Sequence, residues 1–216
     1  MVLPAKHFYM IRHGQTEANA AQIMAGSIDS PLTDLGRNQA RHAQHALKTL
    51  DIKPKAIIHS HLSRARETAK ILNDVLNVEL HEDADLAEMH AGDMEGEPYE
   101  TARILFDGWP TIPNAETPQE FFDRVKRGKL KALNDFDGPV LIVCHGGVMR
   151  AFGEIHGVSV PGKFQNAHLH DFKPNIENPS NSKFPWNVSH FDICDKTFAV
   201  SKKITDIYSG ENSSAA

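Results

Sequence analysis

Two cysteines, Cys144 and Cys194, cannot build a disulfide framework, and their scarcity favours a reducing compartment. No apolar run approaches the roughly 20 residues of a membrane-spanning helix, so no membrane partner is expected. Met1 to Met10 holds a single Lys6 and no apolar core of a secretory signal, which makes the expected location cytoplasmic. Basic residues are in deficit, with 23 Lys and Arg against 28 Asp and Glu and a formal charge of −5. That balance argues against a general nucleic-acid binder but leaves room for a local cationic pocket. There is no internal repeat, low-complexity block or sharp break in composition.

What is present fits one ordinary globular domain. Hydrophobic residues make up 40% and charged residues 24% of 216. A chain of this length buries about 70% of the surface it exposes when unfolded, so it needs neither disulfides nor a structural metal. Residues 1–208 are expected to form one α/β domain, with 209–216 as a flexible C-terminal tail.

The apolar pattern alternates between strand-like and helix-like segments. His7 to Ile11 reads as a strand ended by Gly14. Thr33 caps a helix whose expected apolar stripe is Leu35, Gln39, Ala43, Leu47 and Leu50. Ala56 to Ile58 reads as a buried strand, Ser63 to Leu76 as a helix, and Val78 to Leu80 as a short strand. The pattern loosens from 81 to 116, with one helix expected around Tyr99 to Phe106. Thr117-Pro118-Gln119-Glu120 is a strong helix start, because Glu120 completes a capping box. Val140 to Cys144 has the continuous apolar character of a central parallel strand, and a helix follows from about Gly147 to Ile155. Val188–Ile193 and Phe198–Ile204 alternate around Asp195-Lys196 as a hairpin would. The Pro- and Asn-rich stretch at 174–187 reads as a lid or a long surface loop. The expected architecture is a mostly parallel central sheet flanked by helices on both faces, with the C-terminal hairpin as an elaboration.

In such sheets ligands lie beyond the carboxyl ends of the strands. Those ends carry Arg12-His13-Gly14, His59-Ser60-His61 with Arg64, and His145-Gly146-Gly147. The two guanidiniums match phosphate oxygens, and the glycines allow close backbone approach. A helix starting near Gly146 points its amides at an anion. A histidine among cations stays neutral at neutral pH and is competent to attack phosphorus. An acid for the leaving oxygen is expected in the loop from Asp85 to Gly96, where Asp85, Glu88, Asp93 and Glu95 are the candidates.

These residues resemble the histidine phosphatase superfamily, the phosphoglycerate-mutase-like family. Arg12-His13-Gly14-Gln15-Thr16-Glu17-Ala18-Asn19 is similar to its signature, and Asp29 to Gly36 to the segment that follows. Ser60 to Ala69 resembles the arginine motif, Leu86-Ala87-Glu88 to Gly96 the acid loop, and Val143-Cys144-His145-Gly146-Gly147 the last motif. The resemblance implies His13 as nucleophile, forming a phosphohistidine, and Glu88 as general acid and base. It implies Arg12, Asn19, Arg64, His145 and Gly146 around the phosphoryl group, with no cofactor and no metal. Two positions depart from the family pattern: Met94 stands where tryptophan is common, and Ala25 precedes Gly26 where glutamine is common. Both border the substrate side.

Plainer readings stand beside these. Arg64 could pair with Glu67 on its helix, yet a cation in a first turn opposes the helix dipole unless an anion compensates. Arg66 reads as a surface residue, and Glu95 and Asp93 as loop residues. Cys144 reads as a packed small hydrophobe, and Trp109 and Trp186 as core. His59-x-His61 and His168-x-His170 each place a pair on one strand face, but no carboxylate or cysteine cluster at metal spacing accompanies them. A catalytic metal is therefore not expected.

The expected activity is a metal-independent phosphomonoester hydrolase acting on a small phosphorylated metabolite or a phosphorylated protein side chain. The alternatives are a phosphoglycerate-mutase-type transfer and a non-catalytic phosphate binder. The resemblance implies that sugar-acid mutases carry a basic insertion before the partner helix of the acid loop. Here the stretch from Gly96 to Glu116 sets Glu97, Glu100, Asp107 and Glu116 against Arg103, which reads as an acidic mouth that resists a bisphosphate. Nothing in the sequence bears on oligomeric state.

Overall fold

The computed structural model of this chain describes residues 3–160, 163–175, 184–205, 207–208 and 210–211. In chain order its elements are β1 (Phe8–Arg12), α1 (Glu17–Ala20), α2 (Asp34–Thr49), β2 (Ala56–His59), α3 (Ser63–Leu76), β3 (Glu79–Glu82) and α4 (Tyr99–Ala102). There follow α5 (Pro118–Asn134), β4 (Leu141–Cys144), α6 (Gly146–Ile155), β5 (Val158–Ser159), β6 (Leu169–Pro174), β7 (Trp186–Ile193), β8 (Val200–Ile204) and β9 (Gly210–Glu211).

Side-chain alternation along the central strands sorts the core into two layers. Phe8 and Met10 of β1 join Ile142 and Cys144 of β4 on one face, under Phe121 and Val125 of α5 and Val148 and Phe152 of α6. Tyr9, Ile11, Leu141 and Val143 face the other way, onto Ala43 and Leu47 of α2 and Ala65 and Leu72 of α3. The sheet runs β3-β2-β4-β1-β6-β7-β8. Its first four strands are parallel and helix-connected. β6, β7 and β8 then extend it antiparallel, so the expected C-terminal hairpin continues the main sheet through β6. Among the described residues no helix is long and apolar enough to cross a membrane.

Local signals are realised closely in α3 and α5. α3 spans the expected residues, and Thr117 and Glu120 form the capping box of α5. The face of α2 differs from expectation. The difference is at its start: Leu35 is 52% exposed and Gly36 and Ala40 turn inward, while Ala43, Leu47 and Leu50 are buried as expected, with Ala46 beside them. The cause is a backbone contact, since a Cβ at Gly36 would stand 2.0 Å from the Gln15 carbonyl oxygen. The expected helix around Tyr99–Phe106 is one α-turn run on by a 3₁₀ segment, Arg103–Phe106.

Of the expected tail, Gly210–Glu211 pairs antiparallel with Val158–Ser159, while 209 and 212–216 lie outside the described residues. The lid reading of 174–187 falls mostly on residues 176–183, also outside them; Pro174 and Trp186 at its two ends are a strand pair.

Candidate functional site

β1, β2 and β4 end side by side, and their continuations meet. The His13 N–H donates to the Cys144 carbonyl at 3.0 Å, which couples the β1 and β4 ends. The Gly14 N–H donates to Thr68 Oγ1 of α3 at 3.1 Å. Gly14 is required here, because a Cβ would stand 2.3 Å from the Gly36 carbonyl oxygen. A cavity of about 220 Å³ opens at this edge; its walls include Arg12, His13, Asn19, Arg64, Glu88 and Gly146.

His13 is 3% exposed, and its Nδ1 lies 2.7 Å from the Gly14 carbonyl oxygen. A carbonyl only accepts, so Nδ1 carries the proton and the Nε2 lone pair is left available. Burial pushes the imidazole pKa well below its ordinary value, and the Arg12 and Arg64 guanidiniums push it further the same way. His13 is thus neutral at neutral pH.

The two arginines are held differently. Arg64 is 2% exposed and donates to the Ile28 carbonyl at 2.9 Å, the Gly26 carbonyl at 2.8 Å and His145 Nδ1 at 3.3 Å. Asp29 accepts from the Ser63 N–H, so an anion from another segment caps the helix start where Arg64 sits. Arg12 donates through Nη1 to the Phe164 carbonyl at 2.9 Å, and its buried Nε has no partner among the described residues.

His145 is fully buried, 5.1 Å from His13 between ring centroids, and is not on the cavity wall. Because its Nδ1 accepts from Arg64, its proton is on Nε2, a buried donor with no partner among the described residues. Burial, then Arg64, lowers its pKa well below the ordinary value. Asn19 lines the cavity, and its Oδ1 accepts from the Thr16 N–H at 3.3 Å and from Asn166 Nδ2 at 3.2 Å.

Of the four candidate acids, Glu88 alone is on the cavity wall. Its Oε2 accepts from the Gly147 N–H at 3.0 Å and its Oε1 from the Met89 N–H at 3.0 Å. The group that accepts from the start of α6 is therefore the Glu88 carboxyl, where the sequence pointed to a ligand. Asp85 is bound by Lys131 and Arg127, Asp93 by Asn114, and Glu95 ties Ser27 to Ala91. Arg66 pairs with Glu82 at the surface, as expected. Ala25 and Gly26 line the cavity, whereas Met94 packs against the core.

The acidic mouth read from 96–116 is displaced: its acids lie off this cavity, and two of them line a neighbouring cavity that shares Arg150 and Lys163. Glu97, Glu100, Asp107 and Glu116 are all absent from this cavity wall. Glu116 is held by Arg124 at 2.6 Å, and Glu100 and Asp107 line a neighbouring cavity. The outer wall carries instead Arg150 and Lys163 beside Tyr99, Phe106 and Phe164. Lys163 Nζ lies 4.7 Å from the Tyr99 ring centroid. Sequence reasoning missed these residues and Asn166, whose Nδ2 donates to the His13 carbonyl at 2.9 Å. Arg150 was findable, one helical turn beyond Gly146-Gly147; Lys163 and Asn166 lie where no motif marks them.

The family model of the histidine phosphatase superfamily, branch 1, matches residues 8–179. "Uncharacterized phosphatase PhoE" of Bacillus subtilis strain 168 is 36% identical over 143 residues, covering 66% of this chain and 72% of that protein. "Probable phosphoglycerate mutase GpmB" of Enterobacter sp. strain 638 is 33% identical over 149 residues, covering 64% and 68%. A mycobacterial glucosyl-3-phosphoglycerate phosphatase solved with VO3 superposes with a TM-score of 0.68 at 26% identity, covering 85% of this chain and 97% of that one. With its two histidines, two arginines and Glu88 gathered at one sheet edge, this chain belongs to the histidine phosphatase superfamily, branch 1.

Proposed function

We propose that the chain hydrolyses phosphomonoesters through a phosphohistidine on His13, without a metal. The observation that carries this reading is the state of His13: neutral, buried, and anchored through Nδ1 so that Nε2 is the nucleophile. Nε2 attacks phosphorus, the ester P–O bond breaks, and the leaving oxygen takes a proton from Glu88. Arg12 and Arg64 spread the charge that develops on the phosphoryl oxygens, and His145, behind the cavity wall, accepts from Arg64 through Nδ1 and holds that guanidinium in place. Asn19 and Gly146 border the same group. The Glu88 carboxylate then takes a proton from water, which attacks the phosphohistidine; the P–N bond breaks and inorganic phosphate leaves. Each Glu88 oxygen accepts one backbone N–H and keeps a second lone pair for this transfer.

The substrate is a small phosphomonoester or a phosphorylated protein side chain that carries a second anionic group. Arg150 and Lys163 on the outer wall support that class, since each complements a carboxylate or a further phosphate. The same two cations favour a second reading, a mutase, whose substrate brings two acidic groups into one cavity. A non-catalytic phosphate binder would show affinity without turnover.

The deciding experiment is hydrolysis of para-nitrophenyl phosphate by wild type and His13→Ala, with EDTA in both. Turnover in the wild type alone supports the hydrolase. Loss of wild-type turnover to EDTA overturns the metal-free mechanism. Absence of turnover sends the question to a mutase assay with a sugar-acid phosphate. Arg150→Met should raise KM for a phosphorylated carboxylic acid by about 10-fold or more and leave para-nitrophenyl phosphate nearly unaffected.

A further inference from the structure

One phosphoryl-transfer centre uses two histidines, and this chain has 13. Three others gather on the antiparallel half of the sheet, away from the cavity wall. In the β6–β7 register His170 faces His190, and continuing that register by two residues sets 168 opposite 192. His168, His190 and Asp192 each offer one ligand atom, and the three atoms lie within 4.8 Å of one another. We propose that these residues form a binding site for a divalent transition cation of the zinc class, separate from the phosphoryl-transfer site.

The spacing supports the assignment. A tetrahedral cation with ligands at about 2.0–2.2 Å sets neighbouring donor atoms roughly 3.3–3.5 Å apart. His168 Nε2 and His190 Nε2 lie 3.3 and 3.6 Å from Asp192 Oδ1, so two of the three edges already have that length. The two imidazoles are largely but not wholly covered, at 18% and 22% side-chain exposure, which leaves an approach for an ion. Buried His170 bonds through Nδ1 to the His168 carbonyl at 3.1 Å and fixes the backbone of the first ligand. Two imidazole nitrogens with one carboxylate oxygen select zinc, nickel or cobalt over calcium and magnesium. Lys203 sits 2.5 Å from Asp192 Oδ2, leaving Oδ1 for the cation and weakening binding by its charge. A bound cation would staple β7 to the residue preceding β6. The neighbouring Ala167 N–H donates to the Arg12 carbonyl at 3.0 Å, so the staple adjoins the strand end that carries His13.

The test uses the untagged full chain, titrated with Zn²⁺ by calorimetry in a non-chelating buffer. One equivalent should bind, His190→Ala should weaken it by more than about 10-fold, and Lys203→Met should tighten it. His61→Ala, at an exposed histidine, should leave it unchanged. Absence of binding, or equal affinity in wild type and His190→Ala, overturns the site. Should His190→Ala fail to fold, Co²⁺ added to the wild type decides: visible bands of a four-coordinate nitrogen–oxygen site support the proposal, and their absence overturns it. None of these readouts uses phosphatase turnover, so the outcome stands apart from the reading of His13.

Discussion

β1, β2 and β4 in the parallel half and β7 and β8 in the antiparallel half differ in what their side chains meet. β2 and β4 are buried at every residue, and β1 at all but Arg12. Their polar chemistry begins only where the strands end, at His13, His59-Ser60 and His145. In β7 and β8 the polar groups lie along the strands themselves: His190 and Asp192 share a face, and β8 has no fully buried residue. Parallel strands need crossovers, and each crossover leaves the sheet at the same edge, so helix-covered strands deliver their loops to one place. Hairpin-connected strands turn at both edges and have nothing to converge on. Their polar residues find partners across the ladder instead.

The mutations that sharpen this contrast fall in a clear order. His13→Ala should lower turnover by at least about 10⁴-fold while circular dichroism stays native. Glu88→Gln should cost about 10²–10³-fold on esters with poor leaving groups and much less on para-nitrophenyl phosphate. Equal losses on both would remove Glu88 as the proton donor.

A third variant tests the core under the parallel strands. Lys129 on α5 is 0% exposed, with Nζ 4.2 Å from the Phe8 and 4.1 Å from the Phe152 ring centroid and 3.0 Å from Met10 Sδ. Burial lowers its pKa to about 7, so desolvation outweighs the aromatic contacts. Unfolding restores an ordinary lysine, which binds a proton that the folded protein lacks at pH 7 to about 10, so stability rises with pH across that window. Lys129→Met should therefore stabilise the fold by about 2 kcal/mol at or below pH 7, with the gain shrinking toward pH 10 in urea titrations. A gain independent of pH would assign the effect to packing. The smallest effect belongs to the antiparallel half. Ile204→Lys, at a residue 89% exposed, should shift the urea midpoint by the equivalent of less than about 0.5 kcal/mol and leave turnover unchanged.

How legible each half is follows from the same contrast. β4 and α5 announced themselves, one by an unbroken apolar run and the other by Thr117-Pro118-Gln119-Glu120, because each signal is local. The ends of β1, β2 and β4 were legible as one site because a strand-helix rhythm carries its own rule for where loops go. β6 was not assigned, since Leu169-His170-Asp171-Phe172 mixes buried polar residues that only their partners across the sheet explain: Asp171 is held by His7 and Lys202. The later turns of α2 follow the expected stripe, but its first turn faces inward at Gly36, which touches the Gln15 backbone and has no side chain to report it. The charge of the cavity mouth was misjudged for a related reason. The acids of 96–116 lie off this wall, Glu100 and Asp107 on a neighbouring cavity that shares Arg150 and Lys163, and those two cations come from α6 and from later in the chain.

The two glycines where α2 meets the loop after β1 bear on how motion is shared during catalysis. A methyl group on either would collide with main chain of the other segment, at 2.3 Å from Gly14 and 2.0 Å from Gly36. The loop carrying His13 thus has its back against a helix and no slack behind it. In the proposed mechanism it is the fixed jaw of a vice: with the imidazole taking the phosphoryl group, the travel falls to phosphorus and the departing oxygen rather than to the protein backbone.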